Sequence, residues 1–224
     1  MLEPAAEGVD VKIDVPYRSA VGSLNFLAVL TLADIAFAVS MVSKFLNRYS
    51  LAHWNAVKHI IAYINTTRDF GIVYKSGGSN AALVGYSDAD FANDTETRRS
   101  IMGYAYFLSN TSVTWTSSRQ RLVTLSTTES EYVAASSAAR EAAWLKQLLS
   151  DLSHPCVSDL KLTLHVDNQS AIKLAMNPVQ HQRTKHIDVR YHYIREQVAN
   201  GELFIEYILS AEQRADIFTK ARKY

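Results

Sequence analysis

The sequence predicts an α/β domain built on a mixed sheet and preceded by a small segment of three helices. Over residues 16–66, apolar side chains recur at intervals of three and four, which is the pattern of amphipathic helices. From residue 81 onward, short segments rich in aromatic and β-branched residues replace that pattern, as is typical of strands. Ser126 then stands three residues before Glu129 and ahead of an Ala-rich run, which predicts the start of a long helix.

Composition bounds the class of protein. The 224 residues suffice for one large domain or one and a half. The 23 Lys plus Arg against 22 Asp plus Glu give a net charge of +1, which excludes a strongly basic nucleic-acid coat protein, so any phosphate binding must be local. Cys156 is the single cysteine, which excludes an internal disulfide and a Cys-based zinc cluster.

No targeting signal or membrane helix is predicted. The first ten residues contain three acids and neither Lys nor Arg, unlike a secretory signal. The stretch Leu24–Val42 is long enough to cross a bilayer, but Asp34 near its middle makes insertion unfavourable. We therefore interpret this stretch as two packed helices with a break before Asp34.

The remaining elements follow from periodicity and from turn signals. The polar loop 76–80 is the candidate boundary between a helical segment, 16–75, and an α/β domain, 81–221, and residues 1–15 are predicted to be a disordered or linker N-terminus. Hairpin-linked strands run antiparallel and helix-linked strands return parallel, so the sheet should be mixed. Strands are predicted over 81–86, 103–108, 113–116, 122–125, 160–166 and 203–209, and helices over 127–152, 168–176, 186–199 and 211–220.

Four acidic residues are predicted to converge at one edge of this sheet. Asp88 and Asp167 end predicted strands, Glu131 lies in the first turns of the long helix, and Asp216 lies on the last helix. Such a cluster needs cations, and Mg²⁺ or Mn²⁺ prefers oxygen ligands. Two such ions can activate water for phosphodiester hydrolysis. Taken singly, each acid is equally consistent with a surface residue or a helix cap.

Six motifs occur in order along the second part of the chain: Gly85–Asp90, Arg98–Ser100, Leu125–Tyr132, Val166–Ala171, Arg183–His192 and Ala215–Lys220. With them this part resembles the RNase H domain of copia-type long-terminal-repeat retrotransposons. The segment 17–75 is similar to the connection between the reverse transcriptase and that domain.

The resemblance implies an RNase H-like fold with a mixed five-stranded sheet flanked by helices. It also implies that the four acids are catalytic and hold two Mg²⁺ or Mn²⁺ ions, with Glu129 and Asp90 as near rivals. The implied reaction is endonucleolytic hydrolysis of the RNA strand of RNA–DNA hybrids, which leaves a 3′-hydroxyl on the RNA. The implied partner is the polymerase domain of the same polyprotein, and the implied location is intracellular, in a cytoplasmic particle or the nucleus.

Contacts to nucleic acid are expected from basic and polar residues around these motifs, although part of the basic set could be an ordinary solvated surface and Asn168 could simply cap a helix. The candidates are Arg98, Arg99, Thr128, Asn168, Gln169, Arg183, Lys185, His186 and Arg190.

The sequence argues against two other functions. An inactive or domesticated copy would bind nucleic acid or a protein without cleavage, although the presence of all four acids argues against it. An integrase on a related fold would need a final Glu and an amino-terminal His/Cys zinc module, and the sequence contains neither. The sequence lacks a His between Leu209 and Arg214, where related cellular enzymes often have one.

Overall fold

A computed structural model describes residues 14–74, 83–152, 162–176 and 193–221. The chain forms two compact units, which meet in sequence between Ile72 and Val73.

The first unit is helical. Its helices are α1, Tyr17–Leu30, α2, Ala36–Ser43, and α3, Leu51–Thr66, with a 3₁₀ turn over Ala33–Ile35. Their apolar stripes form one core, in which the buried Tyr17 donates a hydrogen bond to the carbonyl of Val42 at 2.8 Å.

Asp34 interrupts the apolar stretch of this unit, as expected. It lies in the 3₁₀ turn, and its Oδ2 accepts a 2.7 Å hydrogen bond from the Tyr63 hydroxyl. The helix is thus broken where the acid finds a polar partner. Within the described residues, no helix is both long enough and apolar enough to span a bilayer.

The second unit contains the predicted mixed sheet. Its described strands lie in the order β3-β2-β1-β4-β5, with antiparallel pairing of β1 to β2 and of β2 to β3, and parallel pairing of β1 to β4 and of β4 to β5. The α/β class and the mixed five-stranded sheet are therefore confirmed. The strands are β1, Leu83–Asp90, β2, Ile101–Leu108, β3, Thr111–Arg119, β4, Leu162–Val166, and β5, Phe204–Tyr207.

Helices flank this sheet. The described helices are α4, Thr127–Asp151, α5, Gln169–Met176, and α6, described over 193–199, followed by 3₁₀ helices over Ser210–Glu212 and Arg214–Phe218. The alanine-rich α4 packs on the sheet, and the Tyr106 hydroxyl donates to the carbonyl of Ala138 at 2.7 Å. Gly85 provides the space for that ring, because a Cβ there would lie 2.4 Å from Tyr106.

Two predicted elements are wrong. Residues 122–125 do not form a strand, and the exposed Leu125 instead donates its N–H to the Glu129 carboxylate at the start of α4. The predicted helix 211–220 is replaced by two short 3₁₀ helices. Gln213 between them is extended, and its buried amide binds the carbonyl of Ser87 and the N–H of Ala215, which interrupts the helix.

Candidate metal centre

Asp88 lies near the carboxyl end of the central strand β1 and is 1% exposed. Its Oδ2 accepts a hydrogen bond from the Thr219 hydroxyl, which follows the last 3₁₀ helix. Asp88 pairs across the ladder with Gly103 of β2, and the last 3₁₀ helix packs on the sheet at this point. The site therefore depends on a close approach between the sheet and the chain around Phe218.

We expect Gly103→Ala to disturb this approach. A Cβ at Gly103 would lie 2.4 Å from the Cβ of Phe218 and 3.3 Å from the carbonyl of Ala215, so the backbone of the last 3₁₀ helix must shift. Overpacking of this kind costs about 1 to 3 kcal/mol, which thermal unfolding measures. Gly22→Ala on α1 is the control, because nothing lies within 4 Å of its added Cβ. An unchanged melting temperature for Gly103→Ala would contradict the close approach.

Glu131 and Asp167 reach the same edge of the sheet from different elements. Glu131 lies in α4, whose first turn is capped by Ser126: its Oγ accepts the N–H of Glu129 at 3.2 Å. Asp167 directly follows β4, and its Oδ2 accepts a 2.7 Å hydrogen bond from Ser210. One carboxylate oxygen each from Asp88, Glu131 and Asp167 lies within 4.8 Å of the others.

The three carboxylates repel one another in a poorly solvated place. Burial, together with the charges of Asp88 and Asp167, raises the pKa of Glu131 to about 9, against a partial opposing effect from a hydrogen bond with the Ala89 backbone. Burial also raises the pKa of Asp88 to about 6, although the Thr219 hydrogen bond and Lys220 oppose the shift. The Glu131 Oε2 is buried without a hydrogen-bond partner. An all-oxygen, electrostatically strained set with one free oxygen fits a hard divalent cation.

Asp216 is linked to this cluster through a lysine. It lies in the 3₁₀ helix Arg214–Phe218, and its Oδ1 is 2.8 Å from the Nζ of Lys220. The same Nζ is 3.5 Å from the Oδ2 of Asp88. Burial lowers the pKa of Lys220, but the hydrogen bond to Asp216 and the nearby carboxylates outweigh this effect and raise the pKa above its ordinary value. Lys220 is therefore protonated at neutral pH, and its ammonium lies between the two carboxylates.

The rival acids have other partners. The Glu129 carboxylate accepts a 2.5 Å hydrogen bond from the N–H of Leu125, and so it stabilises the start of α4. Asp90 accepts a hydrogen bond from Asn93. Among the described residues, neither belongs to the group of carboxylates close enough to share one ion.

The loop between β1 and β2 presents one of the predicted nucleic-acid contacts. Arg98 is exposed and has φ of 56°, a left-handed conformation that is unusual for a residue with a Cβ. The buried Asp94 holds the loop: its carbonyl accepts the N–H of Arg98 at 2.7 Å, and its carboxylate accepts from Thr97 at 3.0 Å and from Arg119 at 2.5 Å. The Nε of Arg99 is buried without a hydrogen-bond partner.

The remaining predicted contacts differ in their surroundings. Asn168 caps α5, because its Oδ1 accepts the N–H of Ala171 at 3.0 Å, so the capping interpretation is sufficient for it. Gln169 is exposed, and Thr128 is half-buried in the first turn of α4. Arg183, Lys185, His186 and Arg190 lie outside the described residues.

Sequence reasoning missed the residues that orient the acids. Lys220 carried a usable signal, since it stands four residues after Asp216. Thr219, Ser210 and Gln213 carried none, because each acts on a partner far away in sequence, as when Thr219 binds Asp88 across 131 residues.

Comparisons with known proteins find sequence relatives over most of the chain. No protein-family model matches it. Over 206 residues, 92% of its length, it is 45% identical to the Retrovirus-related Pol polyprotein from transposon TNT 1-94 of Nicotiana tabacum, and it covers 15% of that protein. It is 39% identical over 208 residues, 91% of its length, to the Retrovirus-related Pol polyprotein from transposon RE2 of Arabidopsis thaliana, and it covers 14% of that protein.

A solved structure agrees at the level of the fold. The chain is similar to a foamy viral protease-reverse transcriptase that was solved in complex with RNA/DNA hybrid, with a TM-score of 0.50 and 11% identity, over 93% of this chain and 26% of that one. The sequence relatives that share 38–45% of their residues with most of the chain are copia-type retrotransposon Pol polyproteins, so the chain is homologous to a segment of these polyproteins.

Proposed function

We propose that the second unit is a metal-dependent endoribonuclease that hydrolyses the RNA strand of RNA–DNA hybrids during retrotransposon reverse transcription. The observation that carries this proposal is the convergence of Asp88, Glu131 and Asp167, with one oxygen each within 4.8 Å, in an RNase H-like fold. The similarity of most of the chain to a segment of a retrovirus-related Pol polyprotein supports the biological context.

Asp88, Glu131 and Asp167 are the residues that would hold a metal ion, and Asp216 is the fourth carboxylate beside them. The raised pKa values and the free Oε2 of Glu131 support a cation at this place. Two bound Mg²⁺ or Mn²⁺ ions would supply an activated water and stabilise the leaving oxygen in phosphodiester hydrolysis.

The chain itself fixes the carboxylates before a substrate arrives. Thr219 orients Asp88, and Ser210 orients Asp167. The buried Gln213 ties the segment that carries Asp216 to the carbonyl of Ser87, next to Asp88. Such preorganisation would let the acids act at one scissile phosphate without rearrangement during the reaction.

We propose that Arg98 contacts the phosphate backbone of the hybrid. The loop that carries it follows β1 at the edge where Asp88 lies, and Asp94 holds it in one conformation. Arg98→Ala should weaken hybrid binding and should reduce the slope of log K against log salt by about 1, since one phosphate contact is lost. A fluorescence anisotropy titration at several salt concentrations measures both.

Lys146→Ala is the control for this change, because it removes the same charge elsewhere. Lys146 is paired with Glu202 and lies fifteen residues beyond Glu131 on α4, about 22 Å farther along the helix. An equal loss of slope in the two variants would show that net charge alone matters and would remove Arg98 from the interface.

We propose that residues 16–75 connect this unit to the polymerase domain of the same polyprotein, and that residues 81–221 are the nuclease domain. The proposed location is intracellular, in a cytoplasmic particle or the nucleus. The similarity of 92% of the chain to a Pol polyprotein supports the connection.

The deciding experiment incubates the chain with an end-labelled RNA annealed to DNA. We expect short RNA products with 3′-hydroxyl ends in Mg²⁺ or Mn²⁺, none in EDTA, and none with Asp167→Asn. RNA alone and duplex DNA are the substrate controls. If the RNA stayed full-length while the intact chain still bound the hybrid, the nuclease assignment would be wrong. The result would instead support a module that binds nucleic acid without cleaving it.

A further inference from the structure

The Nζ of Lys220 bridges two of the proposed metal ligands. It lies 2.8 Å from the Asp216 Oδ1 and 3.5 Å from the Asp88 Oδ2. The lysine side chain is 45% exposed and Asp88 is 1% exposed, so the stem reaches inward from the surface and brings its ammonium against a buried carboxylate. At this distance from both oxygens, the Lys220 ammonium partly neutralises the carboxylates of Asp88 and Asp216.

The other end of the cluster has no such partner among the described residues. The Glu131 Oε2 is buried without a hydrogen-bond partner, and Glu131 as a whole is only 6% exposed. Together with the oxygens of Asp88 and Asp167 within 4.8 Å, it leaves room for a cation from solution. The two ends therefore differ: one is open to an ion, and the other is bridged by Lys220.

We propose that Lys220 is a displaceable counter-ion, which competes with a second divalent ion for Asp88 and Asp216 and so sets the affinity for that ion. This proposal rests on the metal-dependent function proposed above. The ammonium and the second ion would take the same position between Asp88 and Asp216, where their positive charges repel each other, so the ammonium must withdraw when that ion binds. The half-exposed lysine stem leaves the side chain free to move toward solvent.

The proposal predicts an asymmetric effect on metal binding. Calorimetric titration of the full chain with Mn²⁺ or Mg²⁺ should show two ions, and Lys220→Met should bind the second at least about 10-fold more tightly, with a smaller gain for the first, since the ammonium also lies 3.5 Å from Asp88. Lys220→Arg keeps the charge and should remain close to the unsubstituted protein. Lys146→Met is the control for net charge, because it removes a lysine from an ion pair with Glu202 outside the cluster.

A second measurement needs no substitution and remains valid if the Met variant does not fold. The NMR signal of the Lys220 ammonium should shift only slightly while the first equivalent of Mg²⁺ is added, and should shift strongly as the second binds and the ammonium leaves Asp88 and Asp216. Two ions bound with equal affinities by the unsubstituted protein and by folded Lys220→Met, or an ammonium signal that never moves, would overturn the role of Lys220 alone. A protein that binds no divalent ion would overturn the metal-dependent function and this proposal together.

Discussion

Replacing Asp88 by Asn should reduce hybrid cleavage by about 1,000-fold or more, which corresponds to about 4 kcal/mol of lost transition-state stabilisation. Asp88 is the carboxylate that connects the four acids. One of its oxygens lies within 4.8 Å of oxygens of Glu131 and Asp167, and its Oδ2 is 3.5 Å from the Lys220 ammonium, which also contacts Asp216. Asn keeps the size and one oxygen for Thr219 but removes the charge that would bind a metal. Single-turnover cleavage of a labelled hybrid at saturating enzyme measures the loss in the chemical step.

Asp90→Asn on the same strand is the matched control. Asp90 accepts from Asn93 and lies outside the group of carboxylates that can share an ion, so its replacement should leave cleavage within about 10-fold. Thermal unfolding shows that both variants are folded. If Asp90→Asn lost as much cleavage as Asp88→Asn, the assignment of the first ligand would be wrong.

Glu131→Gln should stabilise the metal-free protein at neutral pH while abolishing cleavage. Burial raises the pKa of Glu131 to about 9 in the folded state, from an ordinary value of 4.5. Between these values the folded state binds more protons than the unfolded state, so stability falls as the pH rises from about 4.5 to about 9. A Gln cannot ionise, and the variant should lose that part of the pH dependence. Each kcal/mol recovered raises the melting temperature by about 2 to 4 °C in a chain of this size.

Melting temperatures recorded from pH 5 to pH 9 in EDTA test this expectation, and the difference between the two proteins should widen toward high pH. Added Mg²⁺ should raise the melting temperature of the unsubstituted protein, because it binds only the folded state, and should raise that of Glu131→Gln less. Glu129→Gln is the control on the same helix. It weakens the hydrogen bond to Leu125 at the start of α4, so it should lower stability slightly and preserve cleavage. A Glu131→Gln variant that melts below the unsubstituted protein at pH 8 in EDTA would contradict the buried, electrostatically strained cluster.

The described elements show why local patterns predict some parts of this chain better than others. The start of α4 was predictable because a capping signal is local: Ser126 and Glu129 are three residues apart and do interact. The break at Asp34 was predictable for the same reason, since an acid in an apolar run needs a polar partner. The last helix was not predictable, because Gln213 leaves the helix to bind a carbonyl on β1 that is 126 residues away.

The sequence by itself determined the class of fold, because strand and helix periodicities are local, and it predicted four acids at one edge of the sheet, because carboxylates after strand ends meet there. Only the tertiary structure decided how those acids are arranged. Asp88, Glu131 and Asp167 lie close enough together to bind one metal ion, whereas Asp216 contacts Lys220, which also contacts Asp88. The physical reason is that burial, mutual repulsion and the hydrogen bonds from Thr219 and Ser210 arise between segments distant in sequence, where no spacing rule applies.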